Sequence, residues 1–220
     1  VNNELSAYYT NPRIHLSDKE ANKIAWTDME AQRLIYNRGG VYMYATNAEI
    51  VHASGGTRSV DESVLKLLRK KNKKKRYGLR EWLEIVGEEL GPKGYEGYKA
   101  MAGGKVVIPS KDFLGPGFEL VREDQYPYEL GFSQFSVTEG KIVGLAPASR
   151  AAEAGVKEGD ELIRFGNFWN AADHYGKNQT LVLKRDGKQF EVSYFPRGWE
   201  KVESWQVVEK GKGSGHLELR

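Results

Sequence analysis

The sequence predicts an α+β protein, a helical lobe of about four helices followed by a small β domain, and three observations predict it. Apolar residues recur at helical spacing up to about residue 90, and beyond Gly103-Gly104 the apolar runs become short and are separated by turn pairs. A length of 220 residues accommodates one or two domains. Hydrophobic residues at 40% and charged residues at 29% give ordinary globular composition, which argues against wholesale disorder and against a fibrous repeat. No apolar run approaches the roughly 20 residues that cross a bilayer, and Val1-Asn2-Asn3-Glu4 has neither the basic start nor the apolar stretch of a secretion signal.

In the first helix, Ala21, Ile24, Ala25, Met29 and Leu34 fall near helical spacing, and Ser17 with Glu20 three residues later forms a capping box. Asn11-Pro12 precedes it, and it reads as running from Ser17 to Tyr36. Gly39-Gly40 interrupts the pattern. Val41, Tyr44, Ala45, Ala48, Ile50 and Val51 then form a second helix that stops at Ser54-Gly55-Gly56. Ser59 and Glu62 open a third helix through Val60, Val64, Leu67 and Leu68. A fourth runs through Leu79, Trp82, Leu83, Val86 and Leu90 and is closed by Gly91-Pro92.

Val106-Val107-Ile108-Pro109 is a short extended piece, and Phe113-Leu114-Gly115-Pro116-Gly117 has linker chemistry, so the predicted domains are residues 1–112 and 113–198. Turn signals at Glu139-Gly140, Glu158-Gly159 and Asp186-Gly187 divide the second into short strands. Residues 199–220 read as a tail, partly disordered or tag-like, because they turn polar and end in Gly211-Lys212-Gly213-Ser214-Gly215.

With no cysteine, the chain has no disulfide framework, thiolate metal site or thiol nucleophile. The histidines His15, His52, His174 and His216 show no i, i+4 pairing and read as surface or helix-end residues, so no metal or other cofactor is expected. The net charge of +3 comes largely from Lys70-Lys71-Asn72-Lys73-Lys74-Lys75-Arg76. Lacking interleaved aromatics, this block reads as a solvated loop between helices, with nucleic acid not expected as a partner. Glu88-Glu89 and Asp160-Glu161 read as surface or turn carboxylates.

Glu129-Leu130-Gly131-Phe132 precedes an expected extended run, and Gly131 lets successive N–H groups turn inward as a nest for a carboxylate. Ile142-Val143-Gly144-Leu145, Ala146-Pro147-Ala148-Ser149, Ala154-Gly155-Val156 and Gly159-Asp160-Glu161-Leu162-Ile163 follow in the order strand, short helix, strand. That order resembles a bacterial-type PDZ domain over residues 118–197. The resemblance implies binding of a peptide C-terminus in a groove lined by Leu130, Gly131, Phe132 and Ser133. The segment from Phe165 to Gln179, where the groove helix belongs, is short and contains Asn167, Asn170, Gly176 and Asn178. The alternative is a domain that only packs against the helical lobe.

Tyr8-Tyr9-Thr10-Asn11-Pro12, Trp26-Thr27-Asp28, Tyr36-Asn37-Arg38-Gly39-Gly40-Val41-Tyr42 and Ser54-Gly55-Gly56-Thr57-Arg58-Ser59-Val60-Asp61 occur in that order. From residue 5 to residue 197 the chain resembles the C-terminal half of metallopeptidases of the glycyl-aminopeptidase type, peptidase family M sixty-one. In that family a thermolysin-like catalytic domain precedes a PDZ domain. The resemblance implies that Tyr36 donates a hydrogen bond to the tetrahedral oxyanion, with Arg38 as electrostatic or structural support. The family's His-Glu-x-x-His zinc motif is missing, so the chain alone is not expected to be proteolytic. It reads either as a fragment that partners a zinc-binding half or another peptidase-like chain, or as a truncated relative with a different role. In the latter case Tyr8, Tyr9, Trp26 and Tyr42 are candidates to line a pocket for a small hydrophobic molecule, as in a cyclase or isomerase acting by confinement, although core packing is the plainer role for them.

Overall fold

The computed structural model describes residues 1–72, 77–166 and 168–211, leaving out the side chains of residues 70–72 and 168–170. Part of the basic block, Asn167, the side chain of Asn170 and the end of the tail with His216 lie outside the described residues. The described residues form nine helices and five strands, an α+β fold, in two compact units. Among the described residues, one unit joins 1–12 to 122–204 and the other joins 13–121 to 205–211. These limits differ from the expected 1–112 and 113–198 at both ends of the chain, for identifiable reasons.

At the N-terminus, α1 (Asn2–Tyr9) buries Leu5, Ala7, Tyr8 and Tyr9. The Thr10 carbonyl just after it accepts the Tyr128 N–H at 2.9 Å, so this helix belongs with the β unit. At the other end, the tail expected to be loose contains β5 (Trp205–Glu209), which pairs with β1 (Phe118–Arg122) in a two-stranded sheet. Val207 is buried there, which gives this strand apolar anchoring that its polar neighbours conceal.

The helical unit begins with α2 (Asp18–Ile24), whose capping box between Ser17 and Glu20 is formed as predicted. The single helix expected over residues 17–36 is broken, because Asp28 turns out of helical geometry and its carboxylate caps the Ala31 N–H at 2.9 Å. From there α3 (Met29–Ala53) runs straight through Gly39 and Gly40, so the two predicted helices around that pair are one. Each glycine in a helix interior costs about 1 kcal/mol relative to alanine. Burial of Leu34, Val41, Ala48 and Ile50 on either side outweighs that cost.

Next come α4 (Val60–Asn72), α5 (Leu79–Leu90) and α6 (Pro92–Ala102). Gly91-Pro92 does end α5, but Pro92 also opens α6 at its first turn, where a missing N–H costs nothing. Gly94 is required by close approach: a Cβ there would lie 2.6 Å from Val86 Cγ1 and 2.8 Å from the Val86 carbonyl oxygen. Tyr42, Trp82, Val86 and Met101 form the core of this unit, with Val60, Val64 and Leu67 of α4 packed against it.

The β unit is built on β2 (Glu161–Phe165), β3 (Gln179–Arg185) and β4 (Lys188–Tyr194), an antiparallel sheet with β3 in the centre. Asp186 and Gly187, both at positive φ, make the tight β3–β4 turn that their sequence predicts. The short helices α7 (Ser136–Glu139), α8 (Arg150–Glu153) and α9 (Phe168–Asp173) complete the unit. Its core gathers Tyr128, Leu130, Phe132, Ile142, Leu181, Leu183, Val192 and Tyr194.

Candidate functional site

The geometry of α3 separates the two residues expected to act together. At 100° per residue, positions two apart point to nearly opposite sides of a helix. Tyr36 is accordingly 76% exposed, whereas Arg38 is only 1% exposed. The Arg38 guanidinium donates to Asp18 Oδ1 at 2.8 Å, to the Ile14 carbonyl at 2.8 Å and to the Leu16 carbonyl at 2.6 Å. It thereby ties the irregular chain ahead of α2 to α3. Of the two roles weighed for Arg38, structural support matches this position. Tyr36 stands on the outward side of a helix held in place by that anchor, with its phenol accessible.

Of the aromatic residues considered as a pocket, Tyr8 and Tyr9 belong to the β unit and Trp26 and Tyr42 to the helical unit. Tyr8 and Tyr9 are buried in the β unit, their ring centroids 5.0 Å apart, and burial pushes the Tyr9 phenol well above its ordinary range. Tyr42 is buried in the helical unit, where its hydroxyl accepts from Trp82 Nε1 at 3.3 Å and its ring meets Tyr98 edge-on at 5.8 Å. Trp26 is 91% exposed. Three of the four are core residues, and the fourth is on the surface.

In the β unit, the turn at residues 130–132 presents backbone. Leu130 and Phe132 are buried in the core, and Gly131 has φ +88°. A side chain at Gly131 would lie 2.8 Å from Ser149 Oγ and 2.9 Å from the Ala151 Cβ. The Leu130 carbonyl accepts the Tyr194 hydroxyl at 2.7 Å, and the Gly131 carbonyl accepts the Ala146 N–H at 2.8 Å. Among the described residues, no backbone carbonyl takes the N–H of Gly131 or Phe132. The run expected to be extended after this turn is not a strand: Ser133 N–H bonds to the Val143 carbonyl, and the chain then coils into α7. Gln134-Phe135-Ser136 favours this outcome because the Ser136 hydroxyl caps the neighbouring Val143 N–H at 3.0 Å.

A carboxylate contact that carried no sequence signal lies close by in the chain. Glu158 accepts the Gly144 N–H at 3.0 Å and the Leu145 N–H at 2.8 Å. Residues 157–161 with 184–186 line a polar hollow of 340 Å³. Its buried member, Asp160, is held by Arg185 at 2.7 Å and by the Lys157 N–H at 2.8 Å. Burial pushes the Asp160 carboxyl up, and these hydrogen bonds outweigh it, leaving the group below its ordinary 3.8. This is a paired structural carboxylate. Among the described residues no three His, Asp or Glu side chains converge as a metal site, and His52 instead meets Asp112 at 3.2 Å. No helix of the described residues is long and apolar enough to cross a membrane.

No family model matches the sequence, and no curated protein matches it. Among solved structures, the crystal structure of an aminopeptidase N family protein from Idiomarina loihiensis is similar, with a TM-score of 0.50 and 12% identity. The similarity covers 94% of this chain and 41% of that one, so this chain spans less than half the length of the structure it matches. At such low identity the likeness shows a related fold.

Proposed function

We propose that this chain is the substrate-side portion of an aminopeptidase of the glycyl-aminopeptidase type, presenting Tyr36 to a zinc-bearing portion carried elsewhere. The single observation that carries this reading is the exposed phenol of Tyr36 on a helix fixed from its other side by Arg38. The likeness to an aminopeptidase N family structure more than twice as long supports it. The described residues of this chain do not fit a zinc site, so no bond-making step is assigned to them. Their contribution is positioning: a phenolic O–H held where oxyanion charge develops donates a hydrogen bond that strengthens in the transition state.

The test is hydrolysis of a glycyl anilide by the protein assembled with its zinc-bearing portion. Tyr36→Phe is expected to lower kcat roughly 100-fold with KM changed less than about twofold, as for the loss of one oxyanion donor. An unchanged kcat would sink the assignment.

A second reading concerns the β unit, as a PDZ-like module. The Gly131 and Phe132 N–H groups, taken by no backbone carbonyl among the described residues, suit the capture of a peptide C-terminal carboxylate. With α7 where a strand was expected, the segment that follows the turn is not itself a strand for the peptide to extend. Titration with peptides bearing a free or an amidated C-terminus separates the possibilities: a free-carboxylate preference of about tenfold or more supports capture, and equal weak binding refutes it. The confinement reading has no comparable support, since Tyr8, Tyr9 and Tyr42 are buried core residues and Trp26 is on the surface.

A further inference from the structure

Glu158 of the β unit lays its carboxylate across two successive backbone N–H groups, one oxygen accepting from Gly144 at 3.0 Å and the other from Leu145 at 2.8 Å. Gly144 has φ +65°, and a left-handed residue turns neighbouring N–H groups to the same side, which makes a concavity that holds an anion. Gly144 and Glu158 are both exposed. A pair of N–H groups at the surface therefore already holds a carboxylate, and its occupant belongs to the chain itself.

Two observations make Glu158 a displaceable occupant. The first is that the segment it touches is pinned without it. On one side the Ser133 N–H donates to the Val143 carbonyl at 2.9 Å and the Ala146 N–H to the Gly131 carbonyl at 2.8 Å. On the other, the Ile142 N–H donates to the Asp160 carbonyl, the Gly159 N–H to the Ile142 carbonyl and the Leu162 N–H to the Gly140 carbonyl, each at 2.8 Å. The second is the contrast with Asp160, two residues on. Asp160 is 3% exposed, and both its oxygens are held by Arg185 at 2.7 Å, so drawing it out strands a buried charge. Glu158 exchanges two surface hydrogen bonds for bonds to water, a small net change. It also borders the 340 Å³ polar hollow together with Lys157, Lys184 and Arg185, where its displaced side chain has room beside cations.

We propose that the Gly144 and Leu145 N–H groups are a carboxylate-binding site of the β unit, occupied by Glu158 in the unliganded chain and given up to an incoming carboxylate, that of a small carboxylic acid or of a peptide C-terminus. The site is a different pair of donors from Gly131 and Phe132 and depends neither on that turn nor on Tyr36. The two pairs lie on neighbouring segments, since a Cβ at Gly144 would lie 3.4 Å from that of Ser133. Glu158 shows that a carboxylate can bond both N–H groups at once, one oxygen to each. As an internal competitor it lowers the apparent affinity for any ligand by the fraction of time that the site stands open, and so sets the concentration at which ligand enters.

The experiment follows the backbone amide resonances of the full chain by NMR during titration with acetate, with N-acetyl-dialanine and with the C-terminal amide of that dipeptide. In Glu158→Ala the free dipeptide is expected to shift the Gly144 and Leu145 resonances with a half-saturation at least about tenfold lower than in the parent, while its amide leaves them unmoved. Glu158→Gln, which keeps the reach of the side chain and loses its charge, is expected to fall between the two, and it carries the test should the alanine variant lose its dispersed spectrum. Acetate binding as tightly as the dipeptide supports a site for any carboxylate, and tighter binding of the dipeptide supports one for a peptide terminus. The proposal is overturned if the Gly144 and Leu145 resonances stay fixed in the variants up to about 50 mM ligand, a weaker affinity than a specific site shows. It is overturned equally by half-saturation unchanged from parent to variants, by an amide that binds like the acid, or by shifts confined to Gly131 and Phe132.

Discussion

The two units offer a ligand different things. In the helical unit the backbone is consumed by helices, so what reaches solvent is side chain, Tyr36 among them. In the β unit the side chains of Leu130 and Phe132 are drawn into the core, and what the turn leaves is backbone N–H. Each unit uses an arginine to hold its arrangement. Arg38 gathers two carbonyls and Asp18 in the first, and in the second Arg185 pairs with a buried carboxylate. The lesson is that a charged residue near a candidate site can serve the scaffold while its near neighbour on the helix stays exposed.

The strongest way to break this comparison is at Arg38. Arg38→Leu removes three hydrogen bonds made by a guanidinium that is only 1% exposed and takes this donor from the Ile14 and Leu16 carbonyls and from Asp18. A loss of roughly 3 kcal/mol is expected in urea unfolding of the full chain, the magnitude of stranding buried polar groups. A loss below about 1 kcal/mol would mean that the anchor is dispensable and that Arg38 is retained for another purpose.

In the β unit the matching change is Arg185→Gln, expected to lower stability at neutral pH by leaving Asp160 buried with fewer partners. Its pH dependence sharpens the test. Because the folded state holds Asp160 below its ordinary 3.8, the group stabilises the fold above that pH and loses its contribution as pH falls through the folded value. The gap between parent and variant should therefore narrow below about pH 4, where protonation removes the charge that Arg185 compensates. A gap constant down to pH 3 would assign the cost to the Gly155 carbonyl or the Phe190 ring, which Arg185 also meets.

Much of this organisation was legible in the sequence, and its gaps have physical causes. The capping box at Ser17 and the Asp186-Gly187 turn are local chemistry, and both form as read. The fusion of two predicted helices across Gly39-Gly40 was not legible, because nearby burial decides whether a helix tolerates glycine. α6 escaped because its two interior glycines lower helix propensity, and Gly94 is there for contact with Val86. At the candidate site, Tyr36 was identified from a resemblance. That Arg38 faces away from it follows from helical geometry, which becomes usable only once α3 is known to be unbroken.

The smallest expected effect is the most discriminating. Tyr36→Phe deletes one hydroxyl from a side chain that is 76% exposed and belongs to no core cluster, so the fold has almost nothing to lose. Exposed substitutions of this kind change stability by less than about 0.5 kcal/mol. Unfolding curves of parent and variant should superimpose while the rate of the assembled enzyme falls, which is the signature of a group serving the ligand. A variant destabilised by 1 kcal/mol or more would place Tyr36 with Arg38 among the residues that hold the scaffold, and the contrast between the two sides of α3 would collapse.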